Sequence, residues 1–163
     1  KWGIENNFLY FVEMDADFSH RFEDLESILN VSTDNDVVIG SRYISGGGSL
    51  GWDTKRRILS KSANLISRIL LKSKIHDMTS GFRCYSSASL KKIKYYNTQS
   101  DGYSFQIEMT MRSEVLKLKI REIPIIFSER RLGNSKMSKK IISEALFFLV
   151  KNGIKKWLNI KTF

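Results

Sequence analysis

Cysteine occurs once in the 163 residues, at Cys84, and proline once, at Pro124. A single thiol builds neither a disulfide framework nor a cysteine-rich zinc centre, and it is compatible with a reducing compartment. Histidine is nearly as scarce, and His20 and His76 lack the spacing of a metal-ligand pair. Long hydrophobic runs are missing as well. In the C-terminal segment the longest charge-free stretch, Ala145–Val150, falls far short of the roughly twenty residues that cross a bilayer. Negative charge is in deficit, with 17 Asp+Glu against 27 Lys+Arg and a formal net charge of +10. That balance favours anionic partners such as nucleic acid, anionic headgroups or phosphorylated small molecules, without choosing among them.

What is present describes a folded domain. Hydrophobic residues make up 42% and aromatics 12%, which excludes a disordered or fibrous chain. The length suits one domain that buries roughly two-thirds of its unfolded surface. Phe8–Met14 reads as a strand covered on both faces, followed by a helix over Glu23–Leu29 and a second strand over Asp36–Gly40. Ile44–Trp52, which contains Gly46-Gly47-Gly48, reads as a mobile loop. Across Thr54–Lys72, Ile58, Leu59, Ala63, Leu65, Ile66, Ile69 and Leu70 recur at helical spacing. A short strand is expected over Phe82–Tyr85, helices over Ser87–Ile93 and Ser104–Leu118, and a strand near a sheet edge over Glu122–Phe127. Glu129–Lys140 reads as a flexible basic loop and Ser138 to about Leu158 as an amphipathic helix. Strands alternate with helices, so the fold class is α/β.

Residues able to do chemistry cluster at the ends of these strands. Asp15 and Asp17 follow the first strand directly, where open α/β sheets bind ligands. Paired carboxylates there suit magnesium or manganese, and they equally suit an Asx-turn or helix cap. Arg42 ends the next strand, and Arg56, Ser60 and Asn64 share one helix face, a phosphate clamp or a solvated basic face. Asp77-Met78-Thr79-Ser80-Gly81-Phe82-Arg83 offers an acid, two hydroxyls and an arginine, or else a turn in which Arg83 pairs locally with Asp77. Gln106 and Glu108 open a helix from which both can face the same crevice. Phe127–Met137, with Arg130, Gly133 and Lys136, reads as a glycine-hinged loop able to close over an anion.

The order of these motifs is more specific than any one of them. Strand–DAD, strand–GSR, R-x-x-x-S, D-x-T-S-G-F-R, G-Y-S-F-Q-x-E and F-x-E-R-x-x-G-x-S-K-M, over about residues 8–140, together resemble the polyprenyl-phosphate (dolichol-phosphate) mannosyltransferases of glycosyltransferase family two, with a GT-A fold. The resemblance implies inverting transfer of mannose from GDP-mannose to a polyprenyl phosphate. It implies that Asp15 and Asp17 hold magnesium or manganese and act catalytically with Arg130. By the same match, Arg42, Arg56 and Ser60 hold the acceptor phosphate. Asp77, Ser80, Arg83, Gln106, Glu108 and Lys136 bind the donor or order the site. Two departures fall in the first motif: Ser19 stands where many relatives carry Gln, and His20-Arg21-Phe22-Glu23 replaces His-Pro-Pro-Glu.

The same match gives a partial GT-A catalytic domain, 1–137; the apolar face and flanking lysines of 138–163 read as an amphipathic helix, either interfacial on anionic lipid or packed on the domain core. The match also expects about 70–90 further residues upstream for the absent βαβ units. Lys1-Trp2-Gly3 shows no signal-peptide pattern. Expected partners are GDP-mannose, a polyprenyl phosphate and a membrane surface, with no nucleic acid. The expected location is cytoplasmic, peripheral at the cytoplasmic face of a membrane. Three competing readings are a sister transferase using UDP-glucose, a basic nucleic-acid-binding domain, and a non-catalytic membrane-associated scaffold. The second needs interleaved aromatic and basic residues or a recognition helix, which the sequence does not display.

Overall fold

The computed structural model describes residues 1–129, 139–158 and 160, with 139–142 described by backbone alone. A short helix, α1 (Trp2–Glu5), precedes strand β1 (Tyr10–Glu13) and helix α2 (Phe22–Ser32). Strand β2 (Val37–Ser41), strand β3 (Gly48–Ser49) and helix α3 (Thr54–Leu71) follow. Then come β4 (Arg83–Ser86), α4 (Ser87–Ile93), α5 (Gly102–Val115), β5 (Ile120–Pro124), β6 (Ile126–Phe127) and α6 (Lys139–Trp157).

Four strands form a mixed sheet in the order β1-β4-β2-β5. β4 runs antiparallel to both β1 and β2, while β2 and β5 are parallel, with Ile39 opposite Glu122. All five residues of β2 are buried, and its side chains alternate between two cores. Val37 and Ile39 join Ile75, Met78, Ile107, Met109, Met111 and Leu149 on the side of α4, α5 and α6. Val38 joins Ile28, Phe82, Cys84, Ile123 and Ile125 on the side of α2. The sheet is therefore covered on both faces around β2, the α/β layering expected from the alternation of elements. Cys84 is a buried, unpaired core residue.

Three expectations change in three dimensions. The first strand is an edge strand, and Phe8, Leu9, Tyr10 and Val12 are exposed rather than covered on both faces. The 44–52 loop is not structureless: Gly48–Ser49 pairs in parallel with Ile126–Phe127. Its turn depends on glycine, since Gly46 has φ +86° and a Cβ on Gly47 would collide with the Ser41 carbonyl oxygen. The 122–127 strand is split at Ile125, whose N–H bonds Ser41 O at 3.1 Å, leaving β5 at the sheet edge and β6 with β3. Helix α3 orients in a way its spacing left open. Its buried face is polar (Asn64 and Ser67, with Leu71 at the C-terminal end), whereas Ile58, Leu59, Leu65, Ile66 and Ile69 are exposed. Helix α6 packs against α3 and α5 and contributes Leu149 to the core.

Candidate active site

The crevice is built where β1 and β2 end and the 77–82 turn crosses them. After β1 the chain enters a tight turn with Phe18 at φ +63°, a left-handed conformation uncommon for a bulky residue and a local reservoir of strain. The turn is held from inside. Asp17 Oδ1 accepts hydrogen bonds from the N–H (3.1 Å) and the hydroxyl of Ser19, and the Asp15 N–H donates to His20 Nδ1 at 2.9 Å. Thus Ser19, which stands where the resemblance expected Gln, serves Asp17 directly. His20 stacks on Phe82 with ring centroids 4.6 Å apart and meets Phe127 edge-on. Burial lowers its pKa, with Arg42 reinforcing the effect and the carboxylates of Asp15, Asp17 and Asp24 opposing it. A neutral ring with an Nδ1 lone pair is what the Asp15 amide requires. Asp15 itself faces the 77–82 turn, because a Cβ on Gly81 would lie 4.0 Å from its Oδ1.

Arg42, at the end of β2, is buried and does not project into the crevice as a free phosphate clamp. Its Nε and Nη2 donate to the two Asp77 oxygens at 2.7 and 2.8 Å, Nη2 also reaches Thr79 Oγ1 at 2.9 Å, and its backbone N–H adds a bond to Asp77. The rings of Tyr43, Trp52 and Phe127 enclose the guanidinium at 5.2, 5.4 and 5.6 Å. Burial pushes the Asp77 carboxyl upward, but the Arg42 charge and hydrogen bonds outweigh it and hold the pKa below the ordinary value. Arg42 is correspondingly held protonated, Asp77 outweighing the opposing effect of burial. Asp77 is fixed in turn by Glu122 of β5, whose carboxylate accepts the backbone N–H of both His76 and Asp77 at 2.9 Å. On α3, Asn64 clamps the same turn, donating to Thr79 Oγ1 at 3.0 Å and accepting the Met78 N–H at 2.9 Å.

Arg83 does not pair locally with Asp77 by hydrogen bonds. Fully buried, it donates to the carbonyls of Ser80 (2.7 Å) and Met78 (2.9 Å) and to Thr110 Oγ1 (2.8 Å), so it orders the turn from behind. Ser80 closes the turn by accepting the Phe82 N–H at 3.3 Å. Gln106 and Glu108 separate. Gln106 reaches β1, donating to Glu13, whose pKa burial raises. Glu108 is paired with Arg112 at 2.7 Å and accepts the Gln99 N–H, so it braces α5 away from the crevice.

Arg56 and Ser60 come together with Tyr43, Trp52 and Glu129, none of which the motifs singled out as ligand-facing. The Tyr43 hydroxyl bonds Ser60 Oγ at 2.5 Å. Arg56 lies 4.3 Å above the Trp52 ring and 3.5 Å from Glu129 Oε1, with its side chain about a third exposed. Trp52 Nε1 is buried and has no hydrogen-bond partner among the described residues. Its position beside a GGG loop was the only sequence signal for it. Arg130 and Lys136 lie outside the described residues.

No group of three or more His, Cys, Asp or Glu side chains converges as a metal cage among the described residues. Asp15 and Asp17 nevertheless fit a hard cation of the magnesium class. Such an ion usually takes one or two carboxylates and completes its shell with water and substrate phosphates.

A mixed sheet layered by helices, with two carboxylates directly after a strand and a buried arginine–carboxylate knot beside an arginine-bearing helix, defines an α/β domain whose chemistry-bearing residues gather at strand ends. Residues 6–94 match the family model for Glycosyl transferase family 2, and the chain belongs to that family. It is similar to a polyprenol monophosphomannose synthase of Mycolicibacterium smegmatis, 44% identical over 155 residues. It is also similar to an undecaprenyl-phosphate mannosyltransferase of Micrococcus luteus, 41% identical over 154 residues. Each match takes in 94% of this chain but only 58% and 63% of the respective relative, so the chain spans about three-fifths of their length.

Proposed function

We propose that the protein to which this chain belongs transfers mannose from GDP-mannose to the phosphate of a polyprenol, with inversion at the anomeric carbon. The observation that carries this reading is the similarity over 94% of the chain to two enzymes named for mannose and a polyprenyl phosphate. The site supports it: Asp15 borders the 77–82 turn, and the basic helix α3 is bonded to that same turn through Asn64.

In this reading a nonbridging oxygen of the acceptor phosphate attacks the anomeric carbon as the bond to GDP breaks, and the electron pair leaves with the diphosphate. The attacking oxygen is already anionic, so no base has to remove a proton and positioning dominates. Arg56, braced on Trp52 and reaching solvent, meets the acceptor phosphate, and Ser60, fixed by Tyr43, supplies a hydroxyl beside it. Arg42 acts at one remove, holding Asp77 and the turn that borders Asp15. Asp15 and Asp17 would hold magnesium or manganese, which supplies charge neutralisation for the departing diphosphate. Reaction takes place at a membrane surface, since the acceptor is a lipid; we place it at the cytoplasmic face.

The test is radiolabelled sugar transfer by the protein as encoded, with polyprenyl phosphate and either GDP-mannose or UDP-glucose, with and without magnesium. Mannose transfer lost in Asp17→Asn is the expected result. Efficient use of UDP-glucose in place of GDP-mannose overturns the donor, and undiminished transfer in chelator overturns the metal.

A further inference from the structure

Trp52 stands between the glycine-rich turn and helix α3, immediately before the capping residue Asp53. The residue is 8% exposed, and its ring meets Phe127 edge-on with centroids 5.5 Å apart. Two guanidiniums lie over the indole, Arg56 at 4.3 Å and Arg42 at 5.4 Å. The ring is thus fully engaged, but its polar atom is not. Nε1 is buried without a hydrogen-bond partner among the described residues. An indole nitrogen only donates, so what it lacks is an acceptor. Buried tryptophan N–H groups ordinarily find one, because an unpaired donor loses its hydration for nothing in return. Phenylalanine would keep the ring contacts without that penalty. What tryptophan adds here is the N–H, and it adds it beside two cations, where an acceptor that is held will be an anion.

The two cations differ in what they can still bind. Arg42 is committed to both oxygens of Asp77. Arg56 is about a third exposed, and its ion pair with Glu129 is long, at 3.5 Å, with the Glu129 side chain more than half exposed. Such a pair is weak and easily exchanged for a better anion. Glu129 also lies against the residue that precedes Trp52. Gly51 has φ +79°, and a Cβ there would come within 2.8 Å of the Glu129 Cβ and 2.9 Å of its Oε2. The Glu129 carboxylate therefore borders both Gly51 and the guanidinium over the indole, the place an incoming anion would take.

We propose that Trp52 is a phosphate-binding residue: when the acceptor phosphate displaces Glu129 from Arg56, the Trp52 Nε1–H donates to one of the phosphate oxygens. Arg56 then supplies the charge and the indole, fixed by Phe127 and the two guanidiniums, supplies a rigid directional donor. The assignment to the acceptor rests on the reading above, in which Arg56 and Ser60, one helical turn apart on α3, meet that phosphate. The need of the indole N–H for an anionic acceptor does not rest on it.

The experiment is nitrogen–proton correlation spectroscopy of the protein as encoded, labelled at its indole nitrogens and titrated separately with a short-chain isoprenyl monophosphate, inorganic phosphate, and GDP with magnesium. Trp52→Phe identifies the Trp52 signal by its loss, and Trp52→Tyr does so should the Phe variant fail to fold as judged by thermal unfolding. A downfield shift of that indole proton with the isoprenyl phosphate and with inorganic phosphate, but not with GDP, is expected. In calorimetry Trp52→Phe should weaken isoprenyl phosphate binding about tenfold, the loss of one hydrogen bond to a charged acceptor. The KM for polyprenyl phosphate should rise in parallel while that for GDP-mannose holds, and Glu129→Gln should tighten phosphate binding. An indole signal indifferent to all three ligands overturns the proposal. So does phosphate affinity that is unchanged in Trp52→Phe and reduced in Trp52→Leu, since the ring is then only a platform for Arg56. A response to GDP alone also overturns it, because the N–H then serves the donor diphosphate. A Trp52 shift with inorganic phosphate, together with wild-type protein inactive on every polyprenyl phosphate, upholds the phosphate site and removes the acceptor reading instead.

Discussion

Arg42 and Arg56 bring the same side chain to neighbouring parts of one crevice and meet opposite surroundings. Arg42 is buried, bonded twice to Asp77 and enclosed by three aromatic rings, while Asp77 is pinned in turn by Glu122. Arg56 rests on one face of Trp52, keeps a long contact to Glu129 and reaches solvent. A guanidinium whose donors are committed to a buried carboxylate sets geometry; one that retains access can meet a ligand. Residue type and motif position did not separate these roles, because the separation lies in what surrounds each arginine.

The comparison is broken most forcefully at Asp77. Asp77→Ala strands a buried Arg42 charge and should lower stability by about 3–5 kcal/mol in urea unfolding; a loss like that of a surface substitution would mean the knot is dispensable. Because Asp77 has a lowered pKa in the folded state, its contribution is complete above the ordinary carboxylate value near ~4 and is lost as pH falls through the folded value. Stability measured by circular dichroism between neutral and strongly acid pH should therefore fall less steeply in Asp77→Asn than in wild type.

Asn64→Ala tests the clamp from α3 to the same turn. It removes a donor to Thr79 and leaves the Met78 N–H unpaired, so a loss of about 1–3 kcal/mol is expected from calorimetric unfolding. Smallest in stability is Arg56→Ala, whose partly exposed ion pair and ring contact are together worth about 1 kcal/mol or less. Under the proposed function the same change should reduce transfer about 10–100-fold, the loss of a charged hydrogen bond to phosphate. Equal losses of stability in Arg56→Ala and Asp77→Ala would erase the distinction between the two arginines.

Several features were legible before the structure. The α/β alternation, the bounds of α4 and the turn that puts Asp15 and Asp17 directly after β1 follow from local patterns, because turn chemistry and side-chain periodicity act over a few residues. Others were misplaced for a common reason. The aliphatic period of α3 marks a stripe but not which way it faces, and here packing turned the polar edge inward because Asn64 is needed by the 77–82 turn. Gln106 and Glu108, two apart, were drawn to one crevice, but helical geometry sends them to opposite partners, Glu13 and Arg112.

By itself the sequence determined the α/β alternation and most of the helices, the two carboxylates directly after the first strand, and a supply of cations near a glycine-rich loop. All of these depend on interactions between residues close along the chain. Only the tertiary structure decided that Arg42 pairs with Asp77, which Glu122 anchors through the backbone, that Arg83 works from behind the turn, and that the apolar stripe of α3 faces outward. Those choices depend on pairs far apart in sequence. They arise because a buried charge must find its counter-ion, and a buried amide its acceptor, wherever the fold brings one within reach.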